Sequence, residues 1–211
     1  MNASREAREL ARRIDALRAT PRRTVSVGIS GVDCAGKSTL ARELAAELRG
    51  RGLPVLLVEG DELTRPTRER YADPNEGRGY YRESFAYDEL FARVLPAARR
   101  GREVELSLRF SDWENDGWRP TAVTVPADGV VIAEGCFLFA ANGCAEFDLS
   151  VWLELPLDQV VERALARPRD LERMGGPAGV RERYETRYLP GQRLHLAADA
   201  PATHADVVVP A

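Results

Sequence analysis

The stretch Gly31-Val32-Asp33-Cys34-Ala35-Gly36-Lys37-Ser38-Thr39 constrains this chain more than any other, because it fits the pattern G-x-x-x-x-G-K-[ST] and holds the only lysine in 211 residues. Every other member of the 30 basic side chains is an arginine. A compact ammonium on a flexible stem can reach between two phosphate groups, where a planar guanidinium fork does not fit, and that accounts for one lysine surviving here. The flanks agree with the motif. Thr24 to Ser30 is a β-branched run with strand character, and Thr39 to Arg49 carries Leu40, Leu44 and Leu48 at helical spacing. Strand, glycine loop and helix in that order turn the amides of Cys34 to Thr39 inward at a helix N-terminus, where unpaired N–H groups and the helix dipole favour an anion. Gly31, Asp33, Cys34, Ala35, Gly36, Lys37, Ser38 and Thr39 are therefore the candidate nucleotide-phosphate loop, with the Ser38 hydroxyl placed for Mg²⁺.

The length suits one α/β domain over residues 1–211, and a hydrophobic content of 44% is ample for its core. A formal charge of −3, with the arginines spread among acidic residues, leaves no basic block to neutralise a nucleic-acid backbone. No apolar run approaches a membrane span and the N-terminus has no signal-peptide pattern, so a cytoplasmic protein is expected. Cys34, Cys136 and Cys144 show no metal-ligand spacing and are expected as free thiols; Cys34, near a helix N-terminus, is the one placed to favour its thiolate.

Along the chain, Ala7, Leu10, Ala11, Ile14 and Leu17 mark an amphipathic first helix, and Pro54 to Val58 a buried strand that ends at Glu59-Gly60-Asp61. Thr64 to Gly79 is polar and broken by Pro66, Pro74, Gly77 and Gly79, which predicts a loop. Ser84 to Arg99 predicts a helix, and Glu103 to Phe110 with Thr121 to Val125 a strand pair around the polar segment Ser111 to Trp118. Val130 to Ala133 is the most apolar strand and runs straight into Glu134-Gly135. A strand over Asp148 to Leu153, a helix over Leu157 to Ala166, a helix or helix pair over Val180 to Leu196 and a closing strand over Ala205 to Val209 complete the pattern. The arginine-rich stretch from Arg167, interrupted by Pro168, Gly175, Gly176 and Pro177, predicts a mobile lid over about 167–183. The expected architecture is a three-layer α/β P-loop NTPase sandwich with a parallel sheet core, that lid, and an acceptor-side region over about 61–125.

Carboxylates at the C-terminal ends of parallel strands face the ligand crevice, so Asp61 and Glu134 join Ser38 as candidate metal neighbours, directly or through water. Phosphoryl transfer needs charge neutralisation, a positioned acceptor and exclusion of water. Asp61 is the candidate base, Lys37 the phosphate ligand, and Arg163, Arg167 and Arg169 the cations that could close over the transferred charge. Tyr80, Tyr81, Arg82, Asp112 and Trp113 are the candidate acceptor contacts, although aromatic side chains are more often core. His195 and His204 lack a partner pattern and receive no role.

Taken together, the loop Gly31 to Thr39, Asp61, Tyr80 to Asp88, Glu134-Gly135, Arg163 to Asp170, Tyr188 to Leu194, Pro201 and Ala205 to Val209 resemble the uridine kinase and phosphoribulokinase family, above all the uridine-kinase-like proteins of high-GC actinobacteria. The resemblance spans nearly the whole chain. It implies a P-loop kinase fold, ATP or GTP with Mg²⁺, and transfer of the γ-phosphoryl to a hydroxyl of a small nucleoside-like acceptor, with Asp61 as base and Ser38 and Glu134 supporting the metal. A homo-oligomer is compatible with it. The acceptor half departs from the pattern: the Phe-Tyr pair that follows the base in uridine kinases is Leu63-Thr64 here, the Tyr and His around the pyrimidine are Ser111 and Asp116, and an acidic ribose contact aligns near Arg82. The rival readings are a kinase for another hydroxyl compound, such as a sugar phosphate, vitamin precursor or nucleoside analogue, and a nucleotide-gated binding module without transfer.

Overall fold

The computed structural model describes residues 2–19 and 23–211. Helix α1 (Ala3–Arg18) leads into strand β1 (Val25–Gly31), helix α2 (Lys37–Gly50) and strand β2 (Val55–Glu59). Two short helices, α3 (Thr67–Arg70) and α4 (Glu76–Glu83), precede a helix that opens with a π-helical turn at Leu90–Val94 and continues as α5 (Leu95–Ala98). The hairpin β3 (Val104–Asp112) and β4 (Gly117–Val125) leads to β5 (Val130–Gly135) and β6 (Leu149–Glu154). The rest is α6 (Leu157–Leu165), α7 (Pro168–Arg173), α8 (Pro177–Arg183), a second π-helical turn at Tyr184–Tyr188, α9 (Leu189–Asp199), α10 (Pro201–His204) and β7 (Val207–Pro210).

The core sheet is parallel throughout in the order β2-β5-β1-β6-β7, while β3 and β4 form a separate antiparallel pair. Every residue of β1 and β5 is buried, as expected of strands covered on both faces by helices. Leu10 and Ile14 of α1, Leu40, Leu44 and Leu48 of α2, and Val27, Ile29 and Ile132 of the sheet share one apolar core. At the centre of β1, Gly28 leaves room for two aromatic rings. A Cβ there would sit 2.6 Å from the Phe147 ring and 2.9 Å from Phe139.

The structure refines the expected boundaries in two places. The segment Thr64 to Gly79 holds α3 and the start of α4, because Asn75 caps α4 through the Arg78 amide at 2.8 Å and Asp116 of the hairpin caps α3 through the Thr67 amide at 2.8 Å. Ser84 to Tyr87 interrupts the expected helix, since Phe85 pairs with Thr64 in an isolated bridge and the Ala86 amide donates to Leu63 O at 2.8 Å. The two π-helical turns also share a cause. Each is followed by Leu-Pro, at Leu95-Pro96 and Leu189-Pro190, and the leucine amide reaches back five residues, to Leu90 O and Tyr184 O. A proline lacks an N–H and its ring crowds the carbonyl four residues earlier, and one wide turn relieves both problems without ending the helix.

Because Gly28 is the space for two rings, Gly28→Ala should overpack the core and cost about 1–3 kcal/mol in urea-induced unfolding. A loss under 0.5 kcal/mol, which is about the range of a neutral surface change, would show that the rings can move aside.

Candidate active site

The β-strand register brings the C-terminal ends of β1, β2 and β5 together: Ile29 and Glu59 both stand beside Glu134, and Ser30 stands beside Gly135. The Ser30 hydroxyl donates to Gly135 O at 2.8 Å and locks the two strand ends. Past β2 the chain turns at Gly60, where a Cβ would meet Glu134 O at 2.8 Å and the Tyr87 hydroxyl at 2.9 Å. Only glycine permits that approach, and it carries Asp61 to the mouth of the cleft with its side chain exposed. Ser111 fixes the same turn from the hairpin, its hydroxyl donating to Thr64 O at 2.6 Å and lying 3.0 Å from Glu62 O.

The glycine loop arrives from β1. Gly36 has φ 93° and caps α2 in a left-handed conformation, and Cys34 also has positive φ, 59°. Lys37 is buried, and its Nζ donates back to Val32 O at 2.8 Å. Burial works against that charge, but Cys136, Asp33 and Glu134 around it outweigh burial and hold the ammonium more firmly protonated than an ordinary lysine. Glu134 answers differently. Burial pushes its carboxyl above the ordinary range, and the nearby charges of Asp61 and Glu59 add to that, against the opposing pull of Lys37 and Ser38. Ser38 Oγ donates to Glu134 Oε1 at 2.9 Å. Asp33 is held by Tyr80 Oη at 2.8 Å and Cys136 Sγ at 3.0 Å, both on Oδ1, while its Oδ2 is buried without a hydrogen-bond partner.

The arginine-rich segment expected as a lid, now α7 and α8, begins against this loop. Arg167 donates to Cys34 Sγ at 3.4 Å and pairs with Asp170 at 3.3 Å, and Arg169 stands 3.8 Å from the same carboxylate. Tyr184 places its hydroxyl 3.4 Å from Cys34 Sγ. Lys37, Ser38, Asp61, Glu134, Arg167, Arg169, Tyr80 and Trp113 thus line one cleft. Of the expected catalytic and acceptor residues, four lie elsewhere. Arg163 donates to the main chain, to Cys34 O at 3.5 Å and Ala211 O at 3.1 Å, and braces the back of the loop. Tyr81 binds Asp199 Oδ2 at 2.5 Å and, with Arg82, lines a second hollow beside Phe137. Asp112 closes the hairpin tip by accepting from the Glu114 and Asn115 amides at 3.2 and 3.1 Å.

The cleft also contains side chains that the sequence did not single out: Arg70, Tyr71, Asp170, Arg173, Tyr184, Arg187 and Tyr188. The doublets Arg70-Tyr71 and Arg187-Tyr188 were the available signal, but nothing marks them out among so many arginines.

The donor set suits a hard cation. Among the described residues no three His, Cys, Asp or Glu side chains are gathered as a metal site. Ser38, Glu134 and Asp61 offer oxygen only, which fits Mg²⁺ because that ion takes one or two carboxylates and completes its shell with phosphate and water. The left-handed Gly36 and the inward amides make the matching cradle for phosphate.

No family model matches the chain, and no curated protein matches it. Solved structures do. A proposed fructose transport system kinase from Silicibacter sp. TM1040 is 28% identical over 100% of both chains, with a TM-score of 0.74. A possible uridine kinase from Bacillus stearothermophilus is 26% identical over 95% of this chain and 98% of that one, with a TM-score of 0.67. The D-glycerate 3-kinase of Cryptococcus neoformans var. grubii shares the fold at 16% identity, with a TM-score of 0.63 over 91% of this chain and 87% of that one. Sheet order, glycine loop and full-length likeness define a P-loop kinase fold. Within that fold, the likeness to these two kinases agrees with the sequence resemblance to the uridine kinase and phosphoribulokinase family.

Two outcomes follow from this geometry. Lys37→Ala removes charge-assisted hydrogen bonds to phosphate worth about 1.5–3 kcal/mol each, so titration calorimetry should find ATP binding weakened about tenfold or more. The folded Glu134 holds its proton more tightly than the unfolded chain does, so the nucleotide-free fold loses stability as pH rises through that raised value. Glu134→Gln should therefore melt at or above wild type at pH 8, with the advantage shrinking as pH falls, while its Mg²⁺-dependent ATP affinity drops. A lower melting temperature than wild type at pH 8 would mean that the pairing with Lys37 and Ser38 outweighs burial.

Proposed function

We propose that this chain is an ATP-dependent phosphotransferase that moves the γ-phosphoryl onto a hydroxyl of a small acceptor. The observation that carries the reading is one cleft holding a buried Lys37, a Ser38–Glu134 pair at 2.9 Å and an exposed carboxylate, Asp61, on the facing strand end. Lys37 would leave Val32 O for the β- and γ-phosphates, while the loop amides hold the remaining oxygens. Mg²⁺ held by Ser38 and Glu134, with Asp61 near it, would neutralise the phosphate charge. Asp61 takes the proton of the acceptor hydroxyl as the O–Pγ bond forms and the bond to the β-phosphate oxygen breaks, with ADP leaving on that electron pair. Arg167 and Arg169, both at the start of α7, exchange Asp170 for the developing charge, and the short helices α7 and α8 exclude water.

The acceptor-side contacts differ from those of a uridine kinase. Ser111 is spent on tying β3 to the turn after Asp61, and Asp116 on capping α3 through Thr67. We therefore read the acceptor as a small hydroxyl compound other than uridine itself.

The test is ADP release with Mg-ATP against a panel of nucleosides, sugars, sugar phosphates and hydroxy acids, with a no-acceptor control. Stimulation by one acceptor is expected, and Asp61→Asn should lower it about a hundredfold or more while ATP binding stays within about twofold. Full activity in Asp61→Asn would remove Asp61 as the base. ATP binding with no stimulation across the panel would shift the reading to a nucleotide-gated module.

A further inference from the structure

At the end of the cleft away from the glycine loop stands a guanidinium with no carboxylate beside it. Arg187 is 2% exposed, and its donors meet only Arg70 O at 2.8 Å, Glu76 O at 3.2 Å and Ser84 Oγ at 3.4 Å. Its plane lies 4.1 Å over the Tyr71 ring and 5.5 Å from Tyr80. Arg70 and Arg173 stand beside Trp113 at 5.4 and 5.5 Å, and Arg70 Nε is buried without a partner. Among the described residues none of Arg70, Arg173 and Arg187 has a carboxylate within 4.0 Å. Most other arginines of the cleft and its rim, including Arg65, Arg167, Arg169 and Arg183, do have one.

We infer that Arg187, with Arg70 and Arg173, forms a subsite for an anionic group of the acceptor, a carboxylate or a phosphate monoester, and that the acceptor is thereby a charged hydroxyl compound. The inference rests on the kinase reading for the word acceptor, but the anion subsite stands on its own geometry. Burying a guanidinium without a counter-ion is costly, and burial does depress the proton affinity of Arg187. Aromatic faces and carbonyls offset part of that cost, and an incoming anion would complete the neutralisation through charge-assisted, bidentate bonds. A neutral nucleoside would leave the charge unpaired. The placement also joins the two ends of one ligand. Arg187 reaches Ser84, whose carbonyl accepts from the Arg65 amide at 2.9 Å, so the subsite is on the same wall as the turn that presents Asp61. Tyr71 and Trp113, 39% and 54% exposed, flank the entry as apolar walls. The donor phosphates have their own cations in Lys37, Arg167 and Arg169, so this second group serves the other substrate.

The experiment has two arms. In the first, protein saturated with Mg²⁺ and a non-hydrolysable ATP analogue, so that the glycine loop is filled, is titrated calorimetrically with inorganic phosphate, with glycerate and with glycerol. Phosphate or glycerate should bind and glycerol should not; Arg173→Gln should weaken binding at least fivefold and Arg187→Met at least tenfold. Arg173 is exposed, so its variant keeps the test valid if Arg187→Met fails to fold. Failure of both anions to bind, or binding indifferent to Arg173→Gln, would overturn the subsite. In the second arm, ADP release is compared for matched acceptors: ribose and ribose 5-phosphate, glycerol and glycerate, pantothenol and pantothenate. Preference for the charged member supports the inference, and equal or better use of a neutral member overturns it. No turnover with any acceptor, alongside retained anion binding in the first arm, would strike the kinase reading and leave the anion subsite standing.

Discussion

The structure depends on keeping one ammonium charged inside a protein. Lys37 is buried at the N-terminus of α2, just past the fully buried central strand β1, a position that favours the neutral amine unless negative groups surround it. The fold supplies two, Asp33 from the loop and Glu134 from the end of β5, and sets the Cys136 thiol just beyond as a polar neighbour. Each has its own anchor. Tyr80 and Cys136 hold Asp33, Ser38 holds Glu134, and the Ser30 bond to Gly135 fixes the distance between the strands that carry them. The parallel register of β1, β2 and β5 is therefore part of the electrostatics of the site as much as of its architecture.

The glycine-loop side of the cleft was legible in the sequence because the pattern leaves little freedom. A phosphate cradle needs glycine where the backbone turns left-handed, a lysine at one point, a hydroxyl next to it, and acids at strand ends, and each requirement fixes a residue type at a spacing. Val130 to Glu134 likewise reads as a buried strand ending in a carboxylate because a parallel sheet covered on both faces admits nothing else. The side of the cleft around Arg187 imposes no such pattern. Arg187 lies more than a hundred residues from Arg70, Ser84 and Glu76 in sequence, and the packing of the Tyr184–Tyr188 turn and α9 against α4 brings them together. A guanidinium that meets main-chain carbonyls leaves no trace in spacing.

The same distinction explains where sequence reading and structure part. Tyr81 and Arg82 follow Tyr80 directly, but a helix turns successive side chains about 100° apart, so Tyr80 faces Asp33 while Tyr81 faces Asp199 and a different hollow. Asp112 and Trp113 are likewise neighbours with separate duties, one closing the hairpin tip and the other standing in the cleft between two arginines. Arg163 sits one turn before Arg167 on the way to the lid, yet it binds the main chain of the loop and of the C-terminus. Residue type and sequence proximity identify the segment; helical phase decides which members of it reach the ligand.

The wide turn at Tyr184–Tyr188 sets that phase for the last long helix, placing Tyr184, Arg187 and Tyr188 on the cleft while Gly191 packs against the main chain of Gly77 and the Tyr80 ring. Such a turn is a single-residue expansion of an ordinary helix. One inserted or exchanged residue in this turn would therefore re-aim three cleft side chains at once, while Lys37, Ser38, Asp61 and Glu134, carried by other elements, keep their places. Under the proposed reading, a lineage with this architecture could change its acceptor without rebuilding its phosphate site.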